Sequence, residues 1–180
     1  MHAVRTNPYN NYTYAICGEG GAGDSLKVYR SKNNGTSWTN ICTPSERAVG
    51  IGFIGNDAYF GSDIPGSTNY IWKITDDGTD GPFTISTVYT IEMFAHMFFS
   101  MATLNGVLYA PSTGEPGTQY LVDMLYTSNG SSWTSENSIL NDASWAGSWN
   151  AVTYHPDRGG ALIYSLSSND ASIIGDWTPS

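Results

Sequence analysis

The feature that most limits how this chain can fold is an internal repeat. Four times the sequence runs through strand, tight turn and strand: residues 3–6 and 14–17, 48–53 and 58–61, 98–102 and 107–110, and 149–154 and 161–164. Between the partners of each pair stand residues that hairpin turns require, among them Asn7-Pro8, Gly55-Asn56-Asp57, Asn105-Gly106 and His155-Pro156-Asp157. A period of roughly 40 to 50 residues marks a propeller or solenoid, in which each unit buries its apolar face on the next.

The first three repeats continue into a second hairpin. Its turn reads Ser31-Lys32-Asn33-Asn34-Gly35-Thr36-Ser37-Trp38 in the first and Thr127-Ser128-Asn129-Gly130-Ser131-Ser132-Trp133 in the third. The second copy, Thr75-Asp76-Asp77-Gly78-Thr79-Asp80-Gly81-Pro82-Phe83, keeps the acidic turn and has Phe83 where the others have Trp. Such a turn needs a short acceptor side chain for its own amides, a glycine at the positive-φ position and an aromatic plug at the edge. These turns resemble the Asp-box, the bacterial neuraminidase repeat, with Asn33 standing where that family usually has Asp. The structural positions of the resemblance are Ser31, Asn33, Gly35 and Trp38, then Asp76 and Gly78, then Ser128, Gly130 and Trp133.

The expectation is an all-β fold, a β-propeller of about four four-stranded antiparallel blades in a single domain over 1–180. The approximate blades are 1–43, 44–91, 92–140 and 141–180. The last has no room for a complete second hairpin, which leaves the chain as part of a larger ring or half of a ring completed by another copy. Composition agrees, with 20 Gly, 12 Tyr, 6 Trp and only 13% charged residues in 180.

A net charge of -9 repels phosphate backbones and anionic membranes, so nucleic acid is not an expected partner. No apolar run approaches the roughly 20 residues of a membrane helix, and residues 1–6 lack the apolar core of a signal peptide. Cys17 and Cys42 fall on the second strand and just past the fourth strand of one blade. That is roughly 9 to 10 Å apart, two strand spacings, beyond the usual disulfide reach, and the pairing is left open.

In Asp-box families the box turns lie on the outer rim of one face and ligands meet the axis on the other. The resemblance therefore directs attention to loops between blades and to those joining second and third strands. These supply Glu46 and Arg47, Glu92 and His96, Asp142 and Trp145, and, within a blade, Asp63. Sialidases of this class hold a carboxylate with three arginines and begin with Arg-Ile-Pro; this chain lacks that tripeptide and has only Arg5, Arg30, Arg47 and Arg158. Arg30 and Arg158, beside an outer turn and in a hairpin turn, are expected to point away from the axis. Glycoside hydrolysis otherwise needs two facing carboxylates, and Glu46, Asp63, Glu92, Glu115 and Asp142 read as solvated loop acids. The histidines share no metal-ligand spacing, and no cofactor or metal is expected. Trp145 is placed either to stack on a sugar face or to pack between blades.

These features together predict a non-catalytic, carbohydrate- or receptor-binding module working outside the cell, on a secreted protein or a virion. Its partner would be a glycan or a cell-surface receptor. The alternatives are a glycoside hydrolase fragment completed by further blades or another chain, and a structural subunit that assembles through its open blade edges.

Overall fold

A computed structural model describes residues 1–18, 26–64, 68–91, 98, 100–112, 121–140, 148–155, 161–167 and 172–177, with side chains described as far as 135 except at 121–123. The first sheet is β1 (Ala3–Thr6), β2 (Thr13–Cys17), β3 (Lys27–Ser31) and β4 (Thr39–Cys42). The second is β5 (Ala48–Ile54), β6 (Asp57–Ser62), β7 (Asn69–Thr75) and β8 (Ser86–Ile91). The third is β9 (Ala102–Leu104), β10 (Val107–Pro111), β11 (Leu121–Thr127) and β12 (Thr134–Leu140). The fourth has three strands, β13 (Ser148–His155), β14 (Ala161–Ser167) and β15 (Ser172–Trp177). Every neighbouring pair is antiparallel and consecutive in sequence, and among the described residues no ladder crosses from one sheet to another. Sheets meet through their first strands, β1 against β5, β5 against β9 and β9 against β13. The architecture is that of β-propeller blades arranged around an axis lined by first strands. Among the described residues no helix is long and apolar enough to cross a membrane.

Period-2 alternation gives each blade a leading face toward its predecessor and a trailing face toward its successor. Tyr14, Ile16 and Val28 form the trailing face of the first blade. They pack on Ile51, Phe53, Phe60, Trp72 and Ile74 of the second blade's leading face. Tyr59 and Ile71 trail on the second blade and meet Met101, Leu108, Ala110 and Leu125 of the third. There the backbone of β5 and β6 comes so close that a side chain at Gly52 or Gly61 has no space. A Cβ on Gly52 would lie 2.4 Å from Leu108, and one on Gly61 would lie 2.4 Å from the Phe98 side chain and 2.5 Å from its carbonyl.

The third inner strand differs from expectation. It begins at Ala102 and abuts the Asn105–Gly106 turn, whereas the sequence placed it at 98–102. Phe98 and Met101 precede it as plugs against the second blade, Phe98 fully buried with its amide donating to the Ser62 carbonyl at 3.0 Å. Cys42 is the last residue of β4, one strand spacing from β3 and two from β2, and both cysteines are free thiols.

Candidate functional site

The turns of the second hairpins are built from short acceptors. Ser31 Oγ accepts from the amides of Asn33 (3.3 Å) and Gly35 (2.8 Å), and Asn33 Oδ1 accepts from the Ser37 amide at 2.9 Å. Trp38 closes the turn with an indole N–H donated to the Gly35 carbonyl at 3.0 Å. In the third copy this hydroxyl role belongs to Thr127, which accepts from Asn129 and Gly130, while Ser128 is exposed. The reason is register: Ser31 and Thr127 both end their strands, and Ser128 lies one residue beyond, on the opposite side of the pleat. Gly35, Gly78 and Gly130 all have positive φ, which is why glycine stands there.

The second copy does more than cap its turn. Asp76 Oδ1 accepts from the Gly78 amide at 2.9 Å, and Oδ2 accepts from the Tyr14 hydroxyl at 2.5 Å. Arg30 donates to the same carboxylate and to the Thr79 carbonyl, and its guanidinium lies between the rings of Tyr12 and Phe83 at 5.2 and 5.3 Å. Both charged side chains are fully buried. Arg30, expected from its place beside an outer turn to point away from the axis, is not a free surface cation. It alternates with Val28 on the trailing face and is sealed between two blades. Burial first, and then the Asp76 hydrogen bond, push the Tyr14 phenol well above its ordinary range. Outside this buried centre, Asp77 and Asp80 are held below the usual carboxylate range, chiefly by hydrogen bonds from Thr79 and Lys32 respectively.

On the opposite face, Arg47 and Asp63 come together. Arg47 Nη2 lies 2.6 Å from Asp63 Oδ2, its Nε donates to the Asp63 carbonyl at 3.0 Å, and the Asp63 amide returns a 3.0 Å bond to the Arg47 carbonyl. The loop after Asp63 is closed by Asn69, which accepts from the Ile64 amide at 2.9 Å and from the Ser62 hydroxyl at 2.6 Å. Glu46 is exposed beside this pair. Glu92, His96, Asp142 and Trp145 lie outside the described residues. Among the described residues no cluster of three or more His, Cys, Asp or Glu side chains could hold a metal.

Sequence reasoning missed the concavity along the inner strands. Arg5 and Thr6 of β1, Ile51 and Phe53 of β5, and Ala102 and Thr103 of β9 line a groove of about 220 Å³. Thr103 is anchored there by donating its hydroxyl to the Phe53 carbonyl at 2.5 Å. Arg5 is exposed, with no ion pair among the described residues. The groove lies at the end of the inner strands nearest the first hairpin turns, the face that also carries the turns of the second hairpins, and not among the loops that the sequence points to. The available signal was a cation in a first strand whose counterparts read Ile51-Gly52-Phe53 and Ala102-Thr103-Leu104.

No protein-family model and no curated protein matches the sequence. Among solved structures the chain is similar to the WD40 β-propeller domain of Doa1, at 14% identity and a TM-score of 0.50 over 90% of this chain and 49% of that one. It is also similar to an engineered GH43 glycoside hydrolase with endo-xylanase and exo-arabinofuranosidase activity, at 12% identity and a TM-score of 0.37 over 98% of this chain and 53% of that one. A third likeness is to an α-L-arabinofuranosidase, CtGH43, from Clostridium thermocellum ATCC 27405, at 12% identity and a TM-score of 0.31 over 98% and 92%. The Doa1 likeness carries the β-propeller fold and no activity, and the other two fall too low to carry an argument. This chain spans 49% of the length of the Doa1 structure, about half.

Proposed function

We propose that this is an Asp-box propeller module that binds, and does not cleave, a glycan or a glycan-bearing receptor outside the cell. The observation that carries the reading is the contrast between two arginines. Arg47 and Asp63 satisfy each other across the loop face, whereas Arg5 stands uncommitted over an apolar wall in the inner groove. A guanidinium fork takes a carboxylate in two parallel hydrogen bonds, and the groove beside Arg5 is lined by Pro8 and by the inner strands of the next two blades. The groove is smaller than the roughly 300 Å³ at which drug-sized pockets begin, which suits one acidic sugar residue or one receptor side chain. Support for the Asp-box assignment comes from the self-capped turns at Ser31–Trp38 and Thr127–Trp133. The acidic composition agrees with an extracellular setting.

A glycan array followed by calorimetric titration tests this. Acidic glycans are expected to bind, and Arg5→Ala to weaken binding at least tenfold with an unchanged circular dichroism spectrum. Unaltered binding in Arg5→Ala, or hydrolysis of the bound glycan, would overturn the reading.

A further inference from the structure

The first hairpin turn is larger than the fold requires. Two residues join β5 to β6 and β9 to β10, whereas six, Asn7 to Tyr12, join β1 to β2. A longer connection costs more entropy to close, so reversing the chain does not account for the extra residues. They are held in one shape all the same. Asn7 is fully buried; its side-chain oxygen accepts from the Tyr9 amide at 2.9 Å, its carbonyl accepts from the Asn11 amide at 2.9 Å, and its amide donates to the Tyr12 carbonyl at 2.8 Å. The Asn10 side chain accepts from the Tyr12 amide at 2.9 Å. Asn7 Nδ2 donates to the Gly55 carbonyl at 3.0 Å, which ties this turn to its counterpart in the second blade.

What the turn presents is an aromatic ring at the rim of the groove. Tyr9 is 50% exposed, and Pro8, the residue before it, lines the groove together with Arg5 and Thr6. Four residues of chain separate Arg5 from Tyr9, which keeps their Cα atoms within about 14 Å. The groove needs such a ring from outside, because Phe53, the aromatic in its lining, is buried. Trp38, the other exposed aromatic ring among the described residues, is bound into its own turn.

With the groove read as the glycan site proposed above, we infer that Tyr9 is the stacking platform of a second sugar subsite. The ligand is then an acidic oligosaccharide of at least two residues, with its carboxylate on Arg5 and the neighbouring sugar on the Tyr9 ring. A groove of about 220 Å³ takes one sugar, so the next one lies over the rim, where the turn stands. A tyrosine ring gives a sugar face a large contact for two fixed side-chain torsions, and a turn already held by its own hydrogen bonds has little order left to lose on binding.

The experiment is an NMR titration of the chain with glucuronic acid and with N-acetylneuraminic acid, each free and joined to galactose. One of the two acids is expected to bind in an Arg5-dependent way, and its galactose-linked form to bind about tenfold tighter than the free acid. Tyr9→Ala should remove that gain and leave the affinity for the free acid as in the parent, and Tyr9→Trp should keep the gain. The Tyr9 backbone amide, not the ring, holds the turn, so Tyr9→Ala should retain the parent circular dichroism spectrum. Three results would each overturn the subsite: no gain on linking, an undiminished gain in Tyr9→Ala, or an equal loss for the free and linked forms, which marks a disturbed turn. Arg5-dependent binding that ignores Tyr9 sinks the subsite alone, whereas failure of both acids to bind through Arg5 sinks the glycan reading and the subsite with it. Should Tyr9→Ala fail to fold, saturation transfer from aromatic protons of the parent chain to the bound galactose ring decides, its presence supporting the subsite and its absence overturning it.

Discussion

Two junctions built from the same repeat are held together in different ways. Between the first and second blades the apolar core contains a charged centre, with Arg30 bound to Asp76 and Thr79, Asp76 bound to Tyr14, and the Phe83 amide donating to the Ile41 carbonyl at 2.7 Å. Between the second and third blades the fit is one of shape. Glycines at 52 and 61 let Met101, Leu108 and Phe98 approach the sheet backbone, and aromatic rings of Tyr59, Tyr89 and Trp133 close the outer end. The first junction is directional, because a buried ion pair is favourable only with its partners in place. The second tolerates any loss of polarity but no added volume. One repeat therefore reaches specificity by two routes, and either can be broken without touching the other.

The largest effect is expected at the charged junction. Asp76→Ala leaves Arg30 buried without its hydrogen-bonded carboxylate, facing only the exposed Asp80 at 3.5 Å, and should cost about 3–5 kcal/mol in urea unfolding. Replacing Arg30 and Asp76 together by Met and Leu should recover most of that loss. If the double variant is no more stable than Asp76→Ala, the pair is not acting as a unit. Next comes Gly61→Ala, where the added methyl meets the Phe98 carbonyl; thermal unfolding should show a loss of about 1–3 kcal/mol. A neutral Gly61→Ala would mean that the second junction is not sterically defined.

The smallest effect is expected at Tyr59. Its hydroxyl is buried without a hydrogen-bond partner among the described residues and lies against Gly130. Tyr59→Phe should be neutral or stabilising by about 1 kcal/mol, since an unsatisfied buried hydroxyl is removed. The same residue sharpens the comparison through pH. Burial, aided by the Asp57 charge, pushes the Tyr59 phenol from 10.0 up to about 12. The folded chain then keeps a proton that the unfolded chain releases above pH 10, so this contribution is complete below pH 10 and is lost as pH rises toward 12. Tyr59→Phe should flatten that alkaline decline, and Tyr14 and Cys42, both raised by burial at the other junction, should supply much of what remains.

The architecture was legible because its causes are local. Hairpin turns such as Asn105–Gly106 announce themselves through the only residues that tolerate positive φ, and strand alternation assigns faces. The charged junction was not legible, although alternation with Val28 already put Arg30 on a buried face. Its partner stands 46 residues away in a turn where an aspartate is sufficiently explained by capping. The short third inner strand escaped notice because Phe98 and Met101 look like strand residues and act as plugs. At the candidate site, Arg47 and Asp63 were named separately, and nothing in the sequence joins a loop between blades to a loop within one. The sequence does not place Arg5 at a site, because the resemblance points to loops and the groove is made of strands.

Each sheet is completed within one continuous stretch of chain, and that has a consequence for how such a molecule forms and changes. Pairing partners are close in sequence, so each blade closes only short loops, and the longer-range search is confined to docking finished units. A duplicated or deleted stretch running from one inter-blade loop to the next would add or remove a whole blade without cutting a ladder. Ring size in a lineage of such chains can therefore change in whole blades, by recombination in the gene, with every sheet inherited intact and only the junctions beside the change made new.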